Sequence, residues 1–232
     1  MDHPSAPDLT PTILALEPMP APLDGPAPPD AEDAPSARRN AGPLLAVLRG
    51  ILPSAGTVLE VGAGTGQHAA AFAAALAPLR WLPTDPQASR IASVPLWANA
   101  LRPQAARPLP ARVLDAAAVD WPLKPADDIR AIVATNVIHI APWSVAKGIL
   151  AGAARWLAPG DPLVFYGPFR RDGAHTSDGN TRFDASLRVQ DPSWGIRDLE
   201  SELVPTAQAA GLDLDRVQAM PANNFTVVLR RR

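Results

Sequence analysis

The chain has no cysteine among its 232 residues. That excludes a disulfide framework, a thiolate nucleophile and any Cys-ligated metal. Its four histidines show no HxxxH-type spacing, so no metal site is expected. Aromatic residues make up only 5% of the chain, so each Trp and Phe matters to the packing. Much of the 47% hydrophobic fraction is alanine, a strong helix former that buries little area. No apolar run approaches the roughly 20 residues that span a bilayer, and no membrane association is expected. A charge excess is missing too: 21 Lys and Arg against 23 Asp and Glu leave a net charge of −2. General nucleic-acid binding needs a basic face and is not expected. The first residues lack a basic stretch followed by an apolar core, so the expected compartment is the cytoplasm. Nothing in the pattern fixes an oligomeric state.

Proline, by contrast, is abundant, and it crowds the first 36 residues. Pro18, Pro20, Pro22, Pro26, Pro28, Pro29 and Pro35 fix φ and remove backbone donors. Residues 1–36 are therefore expected to form a disordered, Pro/Ala-rich leader, and 37–232 a single folded domain.

In that domain, apolar residues from Leu44 to Leu52 recur at helical spacing until Pro53. Strands are expected at 57–61, 80–84, 111–114, 129–135 and 163–166. Helices are expected at 67–77, 87–101 (interrupted by Pro95), 144–157 and 198–210. A close terminal pair, 212–220 and 224–230, reads as an antiparallel hairpin at the sheet edge. The expected fold is α/β: a Rossmann-like, doubly wound, mainly parallel seven-stranded sheet. The stretch 167–195 is polar, Gly-rich and too long for an ordinary connection. It is expected to be an irregular inserted segment rimming a pocket.

The most informative run is Val58-Leu59-Glu60-Val61-Gly62-Ala63-Gly64-Thr65-Gly66. It leads from a strand through a glycine turn into a helix, where ligands bind in open α/β sheets. A Walker loop is excluded because no Gly-Lys-Ser/Thr follows. A nicotinamide site wants G-x-G-x-x-G, but Gly66 comes one residue early and Gln67 stands in its place. Glu60, Asp85, Asp115 and Asn136 end four successive strands, so their side chains are expected to converge on one crevice. Any one of them alone is equally consistent with a loop cap.

In this order, these residues resemble the class I S-adenosylmethionine-dependent methyltransferases. The resemblance implies that Glu60, Gly62, Ala63, Gly64 and Gly66 form the first donor-binding motif. It implies a ribose-binding acid at Asp85 and an adenine-side acid at Asp115. Asn136 would begin the segment flanking the methyl donor. A narrower resemblance covers nearly everything from Arg38 onward. Arg39-Asn40, Gly64-Thr65-Gly66-Gln67-His68, Asn136 through Trp143, Tyr166-Gly167-Pro168-Phe169, Asp172-Gly173-Ala174-His175, Phe183-Asp184-Ala185-Ser186-Leu187 and Pro221-Ala222-Asn223-Asn224 look like the family that includes methyltransferase-like 26. That likeness adds Arg39 and Asn40 to the donor contacts and implies S-adenosylmethionine as cofactor; it names no acceptor.

Methyl transfer needs alignment, exclusion of water and sometimes a base, but no metal. His139, just past the fourth strand, is the candidate base or orienting group, and Tyr166 a second candidate. Packing roles stay open for both, His139 against Trp143 for example. A small-molecule acceptor is the expected partner. A non-catalytic S-adenosylmethionine-binding module is the alternative, and a nicotinamide oxidoreductase is disfavoured by the glycine spacing.

Overall fold

The computed structural model describes residues 23–232; the part of the expected leader in 1–22 lies outside the described residues. The chain runs α1 (Pro35–Arg49), β1 (Thr57–Val61), α2 (Gln67–Ala75), β2 (Arg80–Asp85), α3 (Ala88–Ile91), α4 (Val94–Asn99), β3 (Arg112–Val113), β4 (Ile129–Thr135), α5 (Trp143–Trp156), β5 (Pro162–Gly167), α6 (Asp178–Gln190), α7 (Val204–Ala209), β6 (Leu212–Met220) and β7 (Asn224–Arg231). The seven strands form one sheet in the order β3-β2-β1-β4-β5-β7-β6. Five strands pair in parallel, and β7 runs antiparallel to both β5 and β6. The terminal hairpin is thus inserted with β7 innermost, closing a mainly parallel α/β sheet.

Strand parity distributes the core over two faces. Val58, Trp81, Ala131, Val133, Val164 and Tyr166 join the cluster built with α1 and α2. Leu59, Val61, Ile132, Ala134, Leu163 and Phe165 join the cluster with Ala146, Ile149, Leu150 and Ala153 of α5. The central strands are apolar on both faces because helices cover both. On α5, Gly148 and Gly152 let the chain after β3 approach closely. A Cβ on Gly148 would lie 1.9 Å from the Ala116 carbonyl oxygen, and one on Gly152 would lie 2.1 Å from Trp121.

Three sequence expectations need correction. Pro95 does more than interrupt a helix: it starts the second of two short ones, where its missing N–H costs nothing. The 167–195 stretch is not irregular throughout, since α6 occupies 13 residues of it. Ser177 caps that helix by accepting the Asn180 N–H at 3.1 Å. Its buried residues are Asn180, Asp184 and Leu187, so the inner face has helical spacing but little apolar signal. The helix expected at 198–210 begins as a π turn over Leu199–Leu203 before α7. Pro205 supplies no N–H to the regular ladder there.

The leader boundary at 36 also moves. Leu23 is fully buried and joins the α1/α2 core. Arg38 donates to the carbonyls of Leu23 and Gly25 at 3.0 and 2.6 Å and pairs with Asp33. The Glu32 N–H donates to Ser93, and Trp97 Nε1 donates to the Glu32 carbonyl. One buried leucine and side chains of the domain hold a segment that its own composition does not order. Leu23→Ala should therefore lower unfolding stability by about 2 kcal/mol. Urea denaturation checks this; an unchanged midpoint would mean that the segment is not held on the domain.

Candidate functional site

β1 ends in a turn tied to the end of β2. The Ala63 N–H donates to the Thr84 carbonyl at 2.8 Å, and the Gly64 N–H donates to Asp85 Oδ2 at 3.1 Å. Thr84 Oγ1 donates to the Glu60 carbonyl at 2.7 Å. Gly64 has φ +54°, and a Cβ there would meet nothing closer than Arg90 at 3.8 Å. The turn thus shows bare backbone to open space. Gly66, in the left-handed region at the start of α2, serves packing instead: a Cβ would strike Val94 at 2.5 Å.

A cleft of about 320 Å³ opens above this turn. Gly62, Ala63, Gly64, Asp85, Asp115 and Asn136 line it, together with Thr65, Gln67, His68, Arg90, Thr135 and Trp194. Glu60 and Gly66 do not. Strand parity turns Glu60 toward the α2 face, where it is 2% exposed and accepts Trp81 Nε1 at 2.7 Å. Asp85 accepts the Gln87 N–H on its other oxygen at 2.9 Å. Asp115 accepts the Ala117 N–H at 2.9 Å. The leader closes one side of the cleft: the Ala34 N–H donates to Gln67 Oε1, and Gln67 Nε2 donates to Asp33.

A second cavity of about 500 Å³ adjoins the first and shares Ser36, Asn136 and Ile140 with it. His139 and Tyr166 line this second cavity, as do Arg39, Asn40, Asn180 and Phe183. Arg39 and Asn40, expected beside the donor, are therefore on the wall of the neighbouring cavity. Asn40 is also structural, since His68 Nε2 donates to its Oδ1 at 2.7 Å, joining α1 to α2. His139 is 3% exposed and stands edge-on to Phe183, ring centroids 5.7 Å apart, rather than against Trp143. Trp143 instead stacks under Arg197 at 5.5 Å.

Sequence patterning missed Arg197. It donates to the carbonyls of Ile138, Ala141 and Ser193 and so pins the loop carrying His139. The Gly195 N–H adds a bond to the His139 carbonyl at 3.0 Å. Its partners are backbone oxygens, which no residue pattern reveals. Asn180 and Phe183 were missed because α6 itself was not expected.

The fold is that of the S-adenosylmethionine-dependent methyltransferases. Similar solved structures include TnmH (21% identity, TM-score 0.66, covering 85% of this chain and 56% of that one). CalO1, a methyltransferase in calicheamicin biosynthesis in its SAH-bound form, gives 20% identity and TM-score 0.64 over 85% and 55%. Magnesium protoporphyrin IX methyltransferase from Synechocystis PCC 6803, with bound SAH, gives 14% and 0.63 over 90% and 91%. The chain spans only a little over half the length of the first two. At these identities the likeness is one of fold. The chain itself belongs to the family described as "Protein of unknown function (DUF938)", whose model matches residues 31–231.

Burial sets the protonation states around both cavities. It raises Glu60 to about 7, against the Trp81 hydrogen bond and with the Asp85 charge adding to the rise. It pushes Tyr166 up to about 12, so the hydroxyl stays a donor. It lowers His139 from 6.5 to about 4, with Arg197 adding repulsion, so this ring is neutral at physiological pH. An unfolded chain protonates that ring below about pH 6.5, whereas the folded one resists until about 4. Stability is therefore lost as pH falls through that window. Between pH 7 and pH 5, the protein should lose about 2 kcal/mol more than a His139→Asn variant. Urea unfolding at both pH values tests this; parallel losses would mean that the ring is open to water.

Proposed function

We propose that this chain is an S-adenosylmethionine-dependent methyltransferase acting on a small-molecule acceptor, with the donor in the first cleft and the acceptor in the second cavity. The carrying observation is that the two cavities meet at Asn136, at the carboxyl edge of the sheet. The motif resemblance to the methyltransferase-like 26 family and the methyltransferase fold support the same reading.

The residues of the first cleft fit such a cofactor. The Gly64 turn leaves room that any side chain would take. The Thr135 hydroxyl on the same wall is buried and has no partner among the described residues. Each Asp85 oxygen accepts one N–H and keeps acceptor capacity for ribose hydroxyls. Asp115 would hold the adenine side, and Gly62 to Gly64 would line the path between. When bound, S-adenosylmethionine supplies a methyl group on a positively charged sulfur. Glu60 and Gly66 act through the turn, the first by anchoring it to Trp81 and the second by admitting α4. His139, neutral and on the acceptor wall, orients an acceptor hydroxyl or amine by accepting a hydrogen bond from it. Tyr166 orients the acceptor through its O–H. The 167–195 segment forms the rim, through Pro168, Asn180 and Phe183 on one cavity and Trp194 on the other.

In calorimetry with S-adenosylhomocysteine, Gly64→Val should abolish binding, because the side chain would occupy the cleft. Asp85→Ala should weaken it by about 1–3 kcal/mol. Unchanged affinity in both variants would remove the donor from this cleft. With methyl-labelled S-adenosylmethionine and a metabolite extract, label should enter a small molecule. His139→Ala should slow that transfer about 100-fold while leaving S-adenosylhomocysteine affinity intact. Binding without transfer to any component would instead support a non-catalytic cofactor-binding module.

A further inference from the structure

We propose that the acceptor is an anion: a small aromatic acid whose carboxylate pairs with Arg39 and whose ring lies on the apolar wall around Phe183. This deepens the donor-and-acceptor reading above and rests on it for the role of the second cavity.

The argument begins with charge. Among the side chains lining the second cavity, Arg39 has the one fixed charge, and no Asp or Glu is present. Arg90 lines the first cleft and not this cavity, and three arginines nearby are already paired. Arg38 is held by Asp33, Arg171 by Glu200 and Arg188 by Asp184. Arg39 has no carboxylate partner among the described residues. It feels Tyr166, whose hydroxyl stays protonated. His139 stays neutral across the physiological range and adds no balancing charge. A sulfonium in the adjoining cleft would put a second cation at the shared opening. Two cations facing one partly enclosed space favour an anionic guest and repel a cationic one. Guanidinium also matches carboxylate geometry better than a point charge does.

The shape of the wall supplies the rest. Phe183 is 39% exposed although it is large and apolar, and it faces this cavity. Pro168 and Pro221 extend the surface with apolar pyrrolidine rings that offer no N–H donors. At about 500 Å³ the space suits one or two fused rings rather than a macromolecular segment. An aromatic body with one anionic end satisfies both features at once.

Arg39 could instead reach through the opening to the carboxylate of the donor, and the experiment separates these outcomes. The probes are 2-naphthoate, its neutral amide 2-naphthamide and the cationic 2-naphthylmethylamine. Each is titrated by ligand-observed NMR, with and without S-adenosylhomocysteine. Naphthoate should bind at least about 10-fold more tightly than the amide, and the amine most weakly. Arg39→Gln should erase that preference, Arg39→Lys should retain part of it, and S-adenosylhomocysteine affinity should stay within about twofold in both. Arg39 is exposed on α1, so these variants fold. Equal binding of acid and amide overturns the proposal, as does a preference that survives Arg39→Gln. A drop of about 10-fold in S-adenosylhomocysteine affinity on Arg39→Gln, with naphthoate unaffected, overturns it by assigning the cation to the donor. If S-adenosylhomocysteine does not bind the unmodified protein, the donor reading fails, while the titrations without it still decide the anion preference.

Discussion

The tie between the end of β1 and the end of β2 is the constraint on which the rest of the site depends. Four hydrogen bonds make it: Trp81 Nε1 to Glu60, Thr84 Oγ1 to the Glu60 carbonyl, the Ala63 N–H to the Thr84 carbonyl, and the Gly64 N–H to Asp85. A parallel ladder ends at Val61 and Thr84 and does nothing to direct the chain beyond it. These bonds carry the pairing one turn further. They fix where the backbone of Gly62 to Gly64 lies and which way Asp85 points. A carboxyl buried at Glu60 is costly as an anion, and burial accordingly raises it to about 7. The indole N–H lowers that cost. The neighbouring β4 then brings Asn136 to the same edge from the other side of β1.

How much of this was legible from sequence depends on whether the determining signal was local. β1 and β4 were readable to the residue because apolar runs bounded by Gly, Pro and charged residues define buried strands, and β6 because Gly211 and Pro221 bound the first arm of a close terminal pair. The glycine turn and its neighbours Asp85, Asp115 and Asn136 could be grouped because sheet topology sends successive strand ends to one edge. The side chain of Glu60 was not legible as an anchor. Its direction follows from parity with Val58 and from a tryptophan 21 residues away. α6 was not legible because its inner positions hold Asn180 and Asp184, which bond to Thr176, Asn223 and Ile196 instead of packing apolar surface. The leader misled for the opposite reason. Its composition is that of an unstructured chain, yet Leu23 finds a pocket on the domain, and distant side chains satisfy its backbone.

α1 connects these features. Its first residues, Ala34 as cap followed by Ser36 and Ala37, wall the first cleft, and Ser36, Arg39 and Asn40 wall the neighbouring cavity. One helix thus borders both spaces, and its position sets the opening between them. On one side it is held by the buried pairing of Asn40 with His68, whose ring stacks on Phe72 at 5.0 Å. On the other it is held by the leader through Arg38.

Arg38 and Arg39 show how adjacent residues of like charge come to do different things. Consecutive helical side chains diverge by about 100°, so the two guanidinium groups cannot share a partner on one face. Arg38 turns to the leader, taking Asp33, two backbone carbonyls and the face of Trp97 at 5.6 Å. With that direction occupied and α1 anchored, Arg39 is left toward the cavity bounded by Tyr166 and Phe183. The leader therefore bears on the second cavity from a distance: by holding Arg38 it fixes the rotation of α1, and the rotation of α1 decides where that cavity's one fixed cation stands.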